Sequence, residues 1–273
     1  MSMSSRFLRS ELALVFRRRR NLVLLAVLAL VPVLIGVAVK LSNASPGAGE
    51  GPPFIERITG NGLFLSLAAL VAVMPLFLPM AVSVISGDAV AGEASLGTLR
   101  SLLVVPVRRV RLLAVKYTAV VAFCLAAVLV VAVAGAVTGL ALFPAGRVTL
   151  LSGTTIPLAE ALLRTLLIAL YVAVSMAGLA AVGLFVSTLT EVPVAAMAAA
   201  LTLSIVSQVL DAIPQVSAIH PYLFSHPWMN FGDLLRQPVP SHGLLLGIGT
   251  QAAYIALFLV LAWTRFDTKD VSS

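Results

Sequence analysis

The sequence predicts an all-α integral membrane protein that crosses the bilayer six times. Three observations carry that expectation. Apolar residues make up 60% of the chain and charged residues only 11%. Six apolar runs are long enough to cross about 30 Å of hydrocarbon. None of these runs alternates polar with apolar residues, as a barrel strand would. A soluble domain of 273 residues must cover itself with charge, and a mean hydropathy of +1.08 leaves too little to do so. Backbone polar groups in lipid must be satisfied within a closed element, so the runs are read as helices.

Residues 1–21 set Phe7, Leu8, Leu12, Leu14, Val15 and Phe16 among arginines, a pattern suited to an interfacial helix at headgroup level. Arg17, Arg18, Arg19 and Arg20 are its membrane-surface anchors. The expected spans are 22–39, 62–85, 117–143, 158–189, 194–210 and 243–263. The first is preceded by about twenty polar and basic residues with no convincing cleavage site after it, so it is read as a retained span. Pro32, Pro75 and Pro79 are expected to kink the first two spans. Residues 42–60, rich in Gly, Pro and Ser, and 143–157 read as external connections, and the turn at 190–193 as internal. Residues 211–242 are external yet apolar, broken by Pro214, Pro221, Pro227, Pro238 and Pro240. Their stretches are too short to cross, so short re-entrant or interfacial helices covered by protein are expected before the last span.

Orientation follows from Lys and Arg. Arg6, Arg9, Arg17 to Arg20, Arg100, Arg108, Arg109, Arg111, Lys116, Arg265 and Lys269 fall on one side, against Lys40, Arg57, Arg147, Arg164 and Arg236 on the other. Both termini are therefore expected in the cytoplasm. The net charge of +7 lies beside apolar spans without aromatic interleaving, which points to membrane lipids and not to nucleic acid. Cys124, the one cysteine, is read as a small core residue. Small residues at 178–183 and 195–200 allow close helix contact, within the chain or between two copies.

The most informative stretch is 86–116, between the second and third spans. Asp88 and Glu93 precede Gly97-Thr98-Leu99, Leu102-Leu103, Pro106, Arg108-Arg109 and Lys116. This reads as a short amphipathic helix, acidic near its start and basic near its end as the helix dipole favours, with Pro106 breaking the chain before the next span. Its leucines need the membrane surface or a partner's groove. The same residues strongly resemble the first cytoplasmic loop of ABC-2 type transporter permeases, the membrane subunits of ABC exporters. The basic helix before the first span and the apolar segment before the last fit that family too.

The resemblance implies a coupling helix in which Glu93, Gly97, Thr98, Leu99, Arg100 and Pro106 serve docking on a separate ATPase subunit. Arg108 and Arg109 would then sit near headgroups. Glu191 would give a second, smaller contact, although a simple tight turn explains it equally well. A second permease chain, identical or related, is implied, as is a bacterial inner membrane. Pro221, Tyr222, His226 and Trp228 would belong to an external gate, with Tyr222 and Trp228 as interface anchors. Gly92 and Gly97 have the spacing of a phosphate loop, but Thr98-Leu99 stands where Lys-Ser/Thr is required. The chain is thus expected to be no enzyme and to hold no cofactor, ATP and Mg²⁺ belonging to the partner.

No Asp, Glu, Lys or Arg lies at mid-span, which disfavours ion coupling and suits an amphipathic or lipophilic substrate. Thr202, Ser204, Ser207 and Gln208 are the pathway candidates. Glu160 and Arg164, one turn apart, are expected to pair or to reach the headgroups. His220, His226 and His242 share the external segment with Asp211 and Asp233, but their His-Pro settings are not metal-ligand spacings and no metal site is expected. Neither Gly-x-Ser-x-Gly nor His-Glu-x-x-His occurs. The rival reading is an integral-membrane enzyme or assembly scaffold that works through the external segment.

Overall fold

The computed structural model describes residues 3–42, 58, 60–96 and 109–268. Helix α1 (Met3–Arg17) leads into α2 (Arg19–Ser42). Then come α3 (Phe64–Val73), α4 (Phe77–Ser95), α5 (Arg109–Leu142), a hairpin of β1 (Val148–Thr149) and β2 (Thr155–Ile156), α6 (Leu158–Leu189) and α7 (Pro193–Asp211). Two 3₁₀ helices, Pro214–Tyr222 and His226–Leu235, precede α8 (Ser241–Thr268). Among the described residues six helices, α2 and α4 to α8, are long and apolar enough to cross a membrane. The chain is an all-α, multi-pass membrane protein.

The second span differs from the single kinked helix expected over 62–85. Met74, Pro75 and Leu76 form a turn, and α3, with ten residues, is too short to cross. Two prolines four residues apart explain the interruption. Neither Pro75 nor Pro79 has an N–H, so a continuous helix would lose the rungs to Val71 and Pro75. The Pro75 carbonyl instead accepts from the side-chain amide Nε2 of Gln208 on α7 at 2.9 Å. Pro32, by contrast, lies inside α2 with the helix unbroken around it.

Helix α6 is the central element, packed against α4, α5, α7 and α8. Glycines let it approach its neighbours. A Cβ on Gly178 would overlap Gln251 Oε1 of α8, and one on Gly183 would overlap Ser86 Oγ of α4. The small residues at 195–200 serve likewise: Ala196 and Ala200 are buried, and Gly87 of α4 abuts Ala196 and Met197. Helix α5 also lies close against α3 and the residues just before it. A Cβ on Gly139 would run into the Gly62 carbonyl oxygen, and one on Gly135 would lie 2.5 Å from Ser66 Cα. Gly135 and Gly139 are four apart, the spacing that presents one small face to a partner helix.

The two ends of the bundle differ. At one end, which carries Arg17 to Arg20, a cluster of Val90, Leu112, Leu113, Leu184, Ala262 and Phe266 also takes in Phe7, so α1 and the end of α8 share that face. The opposite end holds the β-hairpin and the 3₁₀ helices. The expected external connection at 143–157 is that hairpin, with Val148, Leu150 and Ile156 buried and Gly153 at φ 81° in its turn.

Candidate functional site

Three acids and three bases meet at the arginine end. The chain turns at Arg18, held by Asn21, whose buried amide donates to the Val15 carbonyl at 2.7 Å. That turn brings Arg18 Nη1 and Arg20 Nη2 onto the same oxygen, Oδ2 of Asp88 in α4, the latter at 2.8 Å. Further along α4, Glu93 Oε1 accepts from Lys116 Nζ of α5 at 2.5 Å. Glu11 Oε2 of α1 lies 3.6 Å from the same ammonium. Lys116 is only 3% exposed, so its positive charge near the start of α5 needs both acids. A narrow cleft lined by Glu11, Arg18, Arg20, Asp88, Glu93 and Lys116 runs through the network. Charges balance within it, and it joins α1, α2, α4 and α5.

The network stands where the sequence places its most informative stretch, but with different bounds. Residues Ser86 to Ser95 continue α4 without a break, and Arg109 to Lys116 open α5. A separate amphipathic helix starting at Ser86 is therefore not what stands there: burial of Ser86, Gly87, Val90, Ala91 and Gly92 against neighbouring helices extends the span. Ser187 of α6 pins that extension. Its hydroxyl accepts from the N–H groups of Val90 and Ala91 at 3.0 and 2.9 Å and donates to the Gly87 carbonyl at 2.6 Å. Glu93 is largely enclosed and paired, not presented outward. Gly97, Thr98, Leu99, Arg100, Pro106 and Arg108 lie outside the described residues. Arg109 opens α5, and Arg17 and Arg19 are exposed at the same end. Glu191 is exposed in the turn between α6 and α7, also at this end beside Pro193.

At the opposite end the irregular segment is tied down carbonyl by carbonyl. Tyr171 of α6 donates to Pro227 O at 2.8 Å, and Arg164 donates to Leu234 O at 2.8 Å and Arg236 O at 3.1 Å. From α8, Gln251 donates to Phe224 O and Tyr254 to Tyr222 O, both at 2.7 Å. Such partners are what non-helical backbone needs near a bilayer. Arg164 also pairs with Glu160 at 2.8 Å. Of these tethers the sequence singles out Arg164 but not Tyr171, Gln251 or Tyr254; the available signal is a hydrogen-bonding tip inside an apolar run.

The gate candidates are divided by the structure. Trp228 is 2% exposed and packs edge-on to Phe224, so it is a core residue and not an interface anchor. Its ring fills the space between the second 3₁₀ helix and the bundle. Tyr222 is 75% exposed. Pro221 lies within the first 3₁₀ helix and His226 opens the second, where half-helices are expected. Three groups that lie apart in the sequence converge here: His226 Nδ1 is 2.6 Å and His220 Nδ1 3.9 Å from Asp211 Oδ1.

The pathway candidates on α7 are mostly engaged. Ser207 Oγ meets Ser225 Oγ at 2.6 Å, Gln208 reaches Pro75 as described and Ser204 O at 3.3 Å, and Thr202 faces outward. Ser204 itself is fully buried.

No curated protein matches the chain. A family model described as "Protein of unknown function (DUF2705)" matches residues 29–272, nearly the whole length, and the chain belongs to that family.

Proposed function

We propose that this chain is the permease subunit of an ATP-driven ABC exporter. It would move an amphipathic or lipophilic substrate out of the cytoplasm by alternating access, coupled to a separate ATPase subunit that binds ATP and Mg²⁺. Two permease chains would work together in a bacterial inner membrane, with both termini cytoplasmic. The observation that carries this reading is the motif at 97–108 together with what frames it. Glu93 on one side of that segment and Lys116 on the other are bonded to each other and, through Glu11, approach α1. A push on 97–108 would reach α1, α4 and α5 at once. Such a closed, charge-balanced joint transmits displacement; free charges would relax around it.

The test is co-purification. Replacing residues 97–103 by a Gly/Ser linker of equal length should abolish binding of the ATPase encoded beside it while leaving the six-span protein folded in detergent. Full retention of the ATPase by a folded variant would refute docking. The rival, an enzyme or scaffold acting through the far-end segment, draws support from the Asp211–His226 contact. It predicts activity from the purified chain alone.

A further inference from the structure

We infer that Asp211, His220 and His226 form a binding site for a borderline divalent transition ion of the Zn²⁺ class. The three come from separate elements: the last residue of α7, the first 3₁₀ helix and the start of the second. One ligand atom from each lies within 4.8 Å of the others. Four-coordinate Zn²⁺ with bonds of about 2.0–2.1 Å sets its ligand atoms roughly 3.3 Å apart. Observed separations of 2.6 and 3.9 Å about Asp211 Oδ1 lie on either side of that value, so an ion would draw the His220 ring in and set the His226 ring back.

The His220 lone pair is already prepared, whereas His226 Nδ1, which donates to Asp211 Oδ1 in the ion-free chain, gives up its proton when an ion binds. His220 Nε2 lies 3.1 Å from the Ile213 carbonyl, which can only accept, so the ring proton sits on Nε2 and Nδ1 is left to bind. This outward bond to a backbone carbonyl is the usual support of a metal-bound imidazole. Two imidazoles and one carboxylate suit Zn²⁺ and its neighbours better than Mg²⁺ or Ca²⁺. The His226 side chain is 45% exposed, which gives an ion access and leaves a fourth position for water or an added ligand. Cys124 is buried far along the sequence inside α5, so no thiolate competes. A bound ion would join α7 to both 3₁₀ helices, a cross-link that does not depend on the exporter reading.

The experiment uses full-length protein in detergent, freed of metal by chelation and carrying no histidine tag. Zn²⁺ alone is titrated by calorimetry and Co²⁺ by its visible absorption. Expected are one ion per chain, a four-coordinate Co²⁺ spectrum, and Zn²⁺-dependent thermal stabilisation. His220→Gln, His226→Gln and Asp211→Asn should each weaken binding more than about tenfold. His242→Gln, at a histidine outside the cluster, should not. The Co²⁺ spectrum of the unaltered protein decides the question even if a variant aggregates. Absence of stoichiometric binding, an octahedral all-water spectrum, or undiminished binding by a folded H220Q/H226Q double variant would overturn the site and leave Asp211–His226 as a hydrogen bond only.

Discussion

Lys116→Met tests the network at the arginine end most directly. The side chain is 3% exposed and its partner Glu93 14%, so solvent screens the pair little. Removing one member of a buried pair costs about 3–5 kcal/mol, because the remaining carboxylate stays enclosed without its counter-charge. Taking the lower figure, the unfolding equilibrium shifts by a factor of about 150. Glu93→Met alone should cost a similar amount, by stranding the ammonium. The double variant should lose less than either single variant, since two apolar side chains fill the space of the pair, although Glu11 is left enclosed without the ammonium. With each single loss at about 3 kcal/mol and the double loss below either, the coupling in that cycle should exceed about 3 kcal/mol. Glu11→Gln should cost less than either, since 3.6 Å is an ion-pair separation outside hydrogen-bond range. The assay is reversible unfolding in mixed micelles, followed by the fluorescence of the chain's 2 tryptophans, one of which, Trp228, is buried at the far end. If Lys116→Met unfolds within about 0.5 kcal/mol of the parent, or if the double variant is no better than the single, the pair is not the clamp described.

Three further outcomes follow from packing and backbone satisfaction. Gly139→Val should prevent folding, because its side chain would enter the Gly62 backbone, whereas Gly146→Ala, with open space around it, should leave elution in size-exclusion chromatography unchanged. Gln208→Leu keeps the volume but strips the Pro75 carbonyl of its donor, and should lower stability by about 1–2 kcal/mol in the same unfolding assay. Ser187→Ala leaves two N–H groups and a carbonyl of α4 without the hydroxyl they share, and should cost about 1–3 kcal/mol. It should also speed amide exchange at Val90 and Ala91, and protection equal to the parent's would contradict the pinning role.

Much of the fold is written in hydrophobicity, because lipid imposes one requirement on every span and length alone satisfies it. That is why six crossings and the broken character of 211–242 are readable, and why the ends of α5 and α8 are less so. Arg109 to Lys116 lengthen α5 because Lys116 finds acids on other helices, and a charge whose partner is 23 residues away, as Glu93 is, carries no local sign of being buried. The split of the second span is half visible. Pro75 and Pro79 announce a fault, but only the amide of Gln208, 133 residues on, makes a full break tolerable. The same asymmetry governs the candidate sites. Histidine spacing along the chain argues against a metal site, since it contains no local motif, yet two 3₁₀ turns and a helix end bring Asp211, His220 and His226 together from across fifteen residues.

What the spans' polar residues do is the remaining step. Serines, glutamines and tyrosines inside apolar helices invite a pathway reading, but Tyr171, Gln208, Gln251 and Tyr254 each commit a donor to a backbone carbonyl in or beside a proline break or a 3₁₀ helix. Every irregular stretch in such a protein creates that demand, and the nearest helix must answer it. A polar tip in a span should therefore be matched first against breaks in the backbone, and only a residue left over is a candidate for substrate. Thr202, exposed on the outer face of α7, is not enclosed by this chain, so if it meets substrate it does so where a second copy packs against α7. Thr202→Trp should then block assembly of two chains while leaving the single chain folded, measured by cross-linking in membranes; unchanged cross-linking would remove α7 from the interface.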